Sequence, residues 1–430
     1  MYKRLALLSI FVLSMMLVSL APAGVPQAEA QDPELTIVWF AWPPCEALAE
    51  LVPQYEGANV TVDCVPLAQW HDIIFTDFVA EGGADLPILD SQWIGEAVGG
   101  NHLVNLTDWM EANMELDDYV PAALSAYGEY PAGSGVYYGV PAMADVQMLV
   151  YRADIFEEEG LDEPADTWYG LLEQAQELKD SDTIENGFTW FWCGSVGCVD
   201  QVQTAWNQIA WSFGGELWDP AEYQVEGVLN SDENVEALEF AAELYLTGPD
   251  GSGDFTYDEV LGSLCNGTSA MTSIWVGFGP VIADPNSCAE AENFAYAVPP
   301  GQTDHYLSLG GQGMSVSAYG DVDAALDFLA WFQMEETQLE WIRLGGYSAR
   351  YSILESDEFV NAAPYNGVFA DAYPLVKDFW NLPEYSELLE VQGEYLNLAI
   401  VGEMAAEEAL SYIAEEQQYI IDDAYPDGPQ

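Results

Sequence analysis

Leu35-Thr36-Ile37-Val38-Trp39-Phe40 is a short apolar run stopped by Pro43 and Pro44, and its reading decides the fold. A run of this length, rich in β-branched and aromatic residues and ended by prolines, reads as a buried strand. Residues 45–52 follow and can start a helix, and Asn59–Val65 (NVTVDCV) alternates as a second strand. After Gly82, Gly83 and Ala84, the run Leu86-Pro87-Ile88-Leu89 reads as a third. Strand, helix, strand at this pitch gives a parallel sheet in an α/β fold. Open sheets of this kind bind ligands in the crevice at the carboxyl ends of their strands. The residues just past the strands therefore come first: Ala41-Trp42-Pro43 after the first strand, and Asp90-Ser91-Gln92-Trp93 after the third.

A second unit opens near Val146. Residues 147–151 are strand-like, and Asp166 or Thr167 caps a helix whose apolar face is Leu171, Leu172, Ala175 and Leu178. Residues 231–246 and 321–344 read as two further amphipathic helices. The stretch Asp250-Gly251-Ser252-Gly253-Asp254 begins like a calcium loop. Phe255 stands where that loop needs Gly and Leu261 where it needs Glu, so it reads as an acidic surface turn.

The chain has 430 residues, with 7 Lys+Arg against 73 Asp+Glu, and a formal charge of −66. Half of it is hydrophobic, so it is no disordered acidic tail. Nucleic acid is excluded as a partner for want of a basic patch. Phosphorylated and carboxylated ligands are disfavoured, and anionic lipid surfaces repel such a chain. Lys3 and Arg4, the apolar run 5–21, then Pro22, Gly24, Pro26 and Ala28-Glu29-Ala30 compose a signal peptide over 1–30, cleaved after Ala30. The rival reading of this run is an uncleaved membrane anchor. No cysteine precedes Cys45, which leaves a lipid-anchored export route without an acceptor. Without Lys3, Arg4 and Glu29, the mature chain keeps five basic residues (Arg152, Lys179, Arg343, Arg350 and Lys377) against 72 acids, a charge of −67. So large a carboxylate excess is a halophile device, and a salty habitat is expected.

An exported chain meets an oxidising compartment, and six cysteines is an even count. The spacings favour local pairing of Cys45 with Cys64, Cys193 with Cys198 and Cys265 with Cys288, although six cysteines admit other connectivities. A closed loop of about 15 residues is worth roughly 3 kcal/mol in the chain-entropy model. Metal-ligand spacing is missing, since there is no Cys-x-x-Cys pair and His71, His102 and His305 are scattered. No cofactor is expected. There is no G-x-S-x-G elbow, H-E-x-x-H, Walker loop or G-x-G-x-x-G after a strand.

Several segments, in order, resemble one family. Tyr138-Gly139-Val140-Pro141, Asp145 and Leu149-Val150-Tyr151-Arg152-Ala153-Asp154-Ile155-Phe156 form the first. Gly160, Pro164, Thr167-Trp168 and Leu171-Leu172 form the second, and Phe213-Gly214-Gly215-Glu216-Leu217 the third. Cys265-Asn266-Gly267-Thr268-Ser269-Ala270-Met271 with Trp275, then Ser308-Leu309-Gly310-Gly311-Gln312-Gly313, then Gly345-Gly346-Tyr347 with Arg350 complete the set. Together they resemble the family 1 extracellular solute-binding proteins of ABC importers, the sugar and polyol receptors related to maltose-binding protein. The resemblance implies a two-lobed periplasmic-binding-protein fold of α/β class, with a ligand cleft between the lobes that closes by hinge motion. Lobe one would take residues 31–143 and 300–345, and lobe two 146–298 and 347–430, with crossings near 142–145, 297–300 and 345–347. The sequence departs from the family in its acids where a Lys-rich surface is usual, and in Gly267-Thr268 where Gly-Lys is usual.

A sugar receptor needs aromatic plates for flat CH faces and planar acceptors or amides for hydroxyls. Family position places Asp145 as the pocket carboxylate, where the bland reading is a solvated loop acid. It also places Trp275 and Trp380 as pocket aromatics. Asp90, Ser91, Gln92 and Trp93 at the strand end are ligand candidates, with helix capping as the alternative. Gly310, Gly311 and Gln312 would bring backbone close to ligand. Trp42, and Trp190 and Trp192 in the Trp190-Phe191-Trp192-Cys193 tract, are further candidates that read equally as core. Arg350, one of so few bases, would hold a pocket carboxylate or ligand hydroxyls. The expected product is an exported, monomeric, non-enzymatic receptor in the periplasm or outside the cell, binding a neutral sugar or polyol and delivering it to a membrane permease. The alternative is a secreted carbohydrate-active enzyme, a glycosidase or lyase, for which chance acidic pairs in so acidic a chain are poor support.

Overall fold

The computed structural model describes residues 32–378, 381–426 and 428. The signal segment and Trp380 lie outside the described residues. Glu34–Phe40 (β1) lies between Asn59–Val65 (β2) and Leu86–Asp90 (β3), parallel to both, in the registers Glu34↔Asn59 and Ile37↔Leu86. The helices Pro43–Leu51 and Leu67–Val79 make the crossovers, the first begun by prolines whose missing N–H groups cost nothing at a helix start. Gly139–Arg152 (β4) is buried at every position. Asn186–Phe188 (β5), Ser269–Trp275 (β6), Phe294–Ala297 (β7), Leu307–Ser315 (β8) and Val376–Lys377 (β9) complete the strands. The order is β2-β1-β3-β8-β4-β6-β5, with β7 on β4 and β9 on β8.

Two strands serve two groups. The first half of β4 pairs with β8, from Gly139↔Ser315 to Val146↔Leu309. Its second half pairs with β6, from Gln147↔Trp275 to Tyr151↔Met271, and with β7. β8 in turn reaches β3 through Asp90↔Gln312 and β9 through Leu307↔Val376. The change of partner on β4 falls at Asp145–Gln147, opposite Leu309 and Gly310 of β8, with β3 ending two residues along β8 at Gln312 and β6 ending at Trp275 opposite Gln147. The strand-like stretches on either side of Asp145 are therefore one strand. Residues 301–304 pack beside the β6 group, where Gly301 bridges Thr167 and the Thr303 and Asp304 N–H groups donate to the Ser212 carbonyl.

Thr167 caps Trp168–Asp180 by accepting from Gly170 N, and Ser231 caps Asp232–Tyr245 by accepting from Asn234 N. The long helix expected over 321–344 is two, Val322–Phe332 and Glu335–Arg343. Met334 is extended between them. The buried Gln333 side chain fixes the corner: its amide donates to the Pro141 carbonyl at 3.0 Å and its oxygen accepts from the Tyr119 hydroxyl at 2.7 Å. The disulfides are Cys45–Cys64, Cys193–Cys198 and Cys265–Cys288, the three local pairs. Cys45–Cys64 ties the first helix to β2, and Cys265–Cys288 ties the end of helix Tyr257–Cys265 to the loop before β7. Among the described residues, no helix is long and apolar enough to cross a membrane.

Candidate functional site

The partner exchange between β4 and β8 places polar groups where strands end, as an open sheet does at its crevice. Asp145 sits at that point, 2% exposed, and its Oδ1 accepts from the Val146 N–H at 2.8 Å and, more weakly, from Gly277 N–H at 3.4 Å. Burial nonetheless pushes its carboxyl up to about 8, against the pull of the Val146, Gly277 and Val276 amides. Opposite Asp145 in register is Gly310. A Cβ on Gly310 would lie 2.5 Å from the Trp275 ring, so the ring packs where only a glycine leaves room for it. Gly277 plays the same part toward Trp42, whose ring a Cβ there would meet at 2.5 Å. Trp275, 8% exposed, donates its indole N–H to the Tyr257 hydroxyl at 3.0 Å.

Beside this aromatic group stand the carboxylates. Asp90 ends β3, and Ser91, Gln92 and Trp93 turn away in a buried 3-10 segment. The Ser91 hydroxyl lies 3.5 Å from Asp90 Oδ1 and 3.3 Å from Asp378 Oδ1, between the two acids. The Gln92 amide donates to Asp200 Oδ2 at 3.0 Å. Gln312, across from Asp90 on β8, donates its amide to Asp90. Asp90 is held well above the usual carboxylate range, first by its enclosure and then by the charges of Asp200 and Asp378. Asp200 is raised as well, by enclosure, against its bond from Gln92. The phenols of Tyr257 and Tyr385 are raised by burial and then by the charge of Asp200, with Asp90 also contributing, which puts both rings at the same cluster.

Trp42, Asp90, Ser91, Gln92, Asp145, Trp275, Gly310 and Gln312 thus form one connected site. Gly311, at φ +92°, lines the strand beside it with no room for a side chain. Trp93 packs edge-on against Trp70 at 4.3 Å and His71 at 5.0 Å, behind the turn. Trp190 and Trp192 are core: Trp190 stacks on Trp168, and both are fully buried. Their tract reaches the site through Phe191, which packs edge-on to Tyr257. Arg350 is engaged elsewhere, with Nε on Asp118 at 2.7 Å, Nη1 on the Gln333 carbonyl and its guanidinium over Tyr119. Asp200, Asp378, Tyr257 and Tyr385 were not singled out from the sequence. Only Tyr257 carried a signal, since Thr256 and Glu259 form the capping box that starts its helix.

Known proteins carry the same plan. The sequence profile of the family described as bacterial extracellular solute-binding protein matches residues 45–339. The chain belongs to that family. Among relatives of this solute-binding protein, a probable amino-acid ABC transporter periplasmic-binding protein of Sinorhizobium fredii is 25% identical over 304 residues, 70% of this chain and 67% of that one. The mannitol-binding protein of Pseudomonas aeruginosa is 24% identical over 367 residues, 78% of this chain and 80% of its own length. A solute-binding protein of Agrobacterium radiobacter K84, solved in complex with ribitol, superposes with a TM-score of 0.78 at 25% identity, over 91% of this chain and 99% of that one. Maltose-bound MalE3 of T. maritima superposes with a TM-score of 0.78 at 22% identity, over 90% and 99%, a likeness of fold. The fold of this solute-binding protein is accordingly the two-lobed α/β fold, in which β4 and β8 connect the β3 strands to the β6 strands.

Proposed function

We propose that this solute-binding protein is the receptor of an ABC importer and captures a neutral sugar or polyol in the cleft between its lobes. The observation that carries the reading is the Trp275 plate, packed against Gly310 and fixed through Tyr257, beside the acceptors Asp90, Asp145, Asp200 and Gln312. A ring of that kind takes the CH face of a sugar, and buried carboxyl and amide groups hydrogen-bond its hydroxyls once water is excluded. Contacts across the cleft (Gln92 to Asp200, Ser91 to Asp378, and Trp42 edge-on to Phe278 at 6.4 Å) are of the kind hinge closure makes and breaks. The mature chain starts after Ala30, works outside the cytoplasmic membrane as a monomer, performs no chemistry and presents its closed form to a permease. The relatives named for ABC transport, mannitol and ribitol support this reading.

A thermal-shift screen of the mature protein against sugars and polyols tests it. A ligand at about 100 times its Kd adds roughly 2.7 kcal/mol of stability. A panel in which only sugar phosphates or uronates shift the transition, or in which a glycan is turned over, overturns the reading.

A further inference from the structure

Asp200 reaches the cleft from the end of a short loop, and its Oδ2 accepts the Gln92 amide at 3.0 Å. Both flanks of that loop are fixed on one helix, Tyr385–Ile400. On the leading side, the Asn397 amide donates to the Trp192 carbonyl at 2.8 Å, and a Cβ on Gly194 would lie 2.1 Å from the Gly393 carbonyl oxygen. On the trailing side runs the helix Gln201–Ser212, buried at every position. There the Gln203 amide donates to the Leu389 carbonyl at 2.8 Å, and Asn207 Oδ1 accepts the Gln392 amide at 2.9 Å. Between these anchors Ser195 and Gly197 are exposed. The Cys193–Cys198 disulfide closes the base of this tip, with both cysteines buried. The Ser195 hydroxyl is 3.4 Å from Cys193 Sγ and 3.3 Å from Cys198 Sγ, and the Ser195 carbonyl accepts the Cys198 N–H at 2.8 Å.

One residue, Val199, separates the disulfide from Asp200. It stands at φ +56°, where a β-branched side chain is disfavoured. A residue keeps such a conformation only when the structure around it fixes the chain. Here one side is Cys198, tied back to Cys193, and the other is Asp200, whose carbonyl accepts the Thr204 N–H at 2.9 Å as the buried helix begins. The sequence separation of this disulfide is 5, against 19 and 23 for the other two. Closing so short a loop constrains the unfolded chain least, so global stability is the weakest reason for it. What it does constrain is the path from the Tyr385–Ile400 frame to Asp200.

We infer that the Cys193–Cys198 disulfide is a positioning device, which through Val199 sets the Asp200 carboxyl against Gln92 so that the cleft closes on solute with that contact made. The inference rests on the sugar or polyol reading of the cleft and adds what sets one of its walls. Its test is calorimetry, under non-reducing conditions, of four mature proteins (wild type, Cys193→Ala/Cys198→Ala, Asp200→Ala and the triple variant) with the sugar or polyol that gives the largest thermal shift. A contact made by one hydrogen bond is worth about tenfold, so the disulfide-free protein should bind about tenfold more weakly than wild type. In the Asp200→Ala background, removing the disulfide should change affinity less than about twofold, because the group it positions is gone. Hydrogen exchange of the ligand-free proteins gives the local readout. Without the disulfide, amides of residues 199–205 should exchange about tenfold or more faster, while those of 206–212 keep their protection. Wild-type affinity in the disulfide-free protein, an equal loss in both backgrounds, or faster exchange through the whole helix would overturn the inference and leave the sugar or polyol reading standing. A disulfide-free protein that does not fold would overturn it too, since the role would then be global. If no sugar or polyol binds wild type, the receptor reading falls and the inference falls with it.

Discussion

Adding one methyl at Gly310 would place a carbon 2.5 Å from the Trp275 ring, closer than any real contact. The ring is poorly free to yield. Trp275 is 8% exposed, its indole N–H is tied to the Tyr257 hydroxyl at 3.0 Å, and Gly310 is held by pairing with Asp145. Overpacking of this kind costs about 1–3 kcal/mol. Gly310→Ala should therefore destabilise the apo protein by that amount. Trp275→Ala alone should cost about 3 kcal/mol, the low end for a large aromatic, because the ring is not fully buried. In the Trp275→Ala background the methyl has room, so Gly310→Ala should then cost less than about 0.5 kcal/mol, leaving a coupling energy of about 1–3 kcal/mol. Urea unfolding of the four proteins at one fixed salt concentration measures the cycle. Gly262→Ala is the reference, since nothing lies within 4 Å of a Cβ there and an open helical position gains about 0.5–1 kcal/mol from alanine. Equal costs for Gly310→Ala in both backgrounds would refute the claim that Trp275 is seated on that glycine.

Further outcomes follow from the carboxylates. Asp145 is raised to about 8 in the folded protein by burial, so the native state holds a proton that the unfolded chain gives up near the ordinary carboxylate range. Its contribution to stability is complete below about pH 4 and is lost as pH rises toward about 8, and Asp145→Asn should flatten that part of the wild-type slope in unfolding midpoints taken between about pH 5 and about pH 8. Enclosure raises Asp90 and Asp200 in the same direction, so the comparison is the difference between wild type and variant and not the wild-type slope itself. The mature charge of −67 is self-repulsive, so the midpoint of thermal unfolding should rise as NaCl goes from low to molar levels. A fall would remove salt adaptation as the reason for the acidity.

The strands and caps were legible because they rest on local pattern. The run at Leu35, the alternation at Asn59 and the cap at Asp166 or Thr167, which the structure gives as Thr167, each stand within a few residues of the element they fix. The three disulfides were legible for the same reason, their partners being close along the chain. The helix break at Gln333 was not, since it is set by Pro141 and Tyr119, far off in sequence. Asp145, Trp275, Gly310 and Gln312 were picked out through family position, and the register of β4 and β8 brings them together. Asp200 and Asp378 escaped notice because 72 acids give no single one a signal; only the fold shows which of them face Gln92 and Ser91. Trp190 and Trp192 illustrate the reverse, since an aromatic tract suited to a sugar is equally suited to the core in which it is buried.

The account stands or falls on whether solute is held at Trp275 between the lobes. The direct measurement is isothermal titration calorimetry of the mature protein and of Trp275→Ala with the sugar or polyol that gives the largest thermal shift. Loss of a central aromatic costs at least about 2 kcal/mol, so the account predicts one site per chain and an affinity reduced about thirtyfold or more in the variant. Binding by Trp275→Ala at wild-type affinity, with the variant folded, would contradict it.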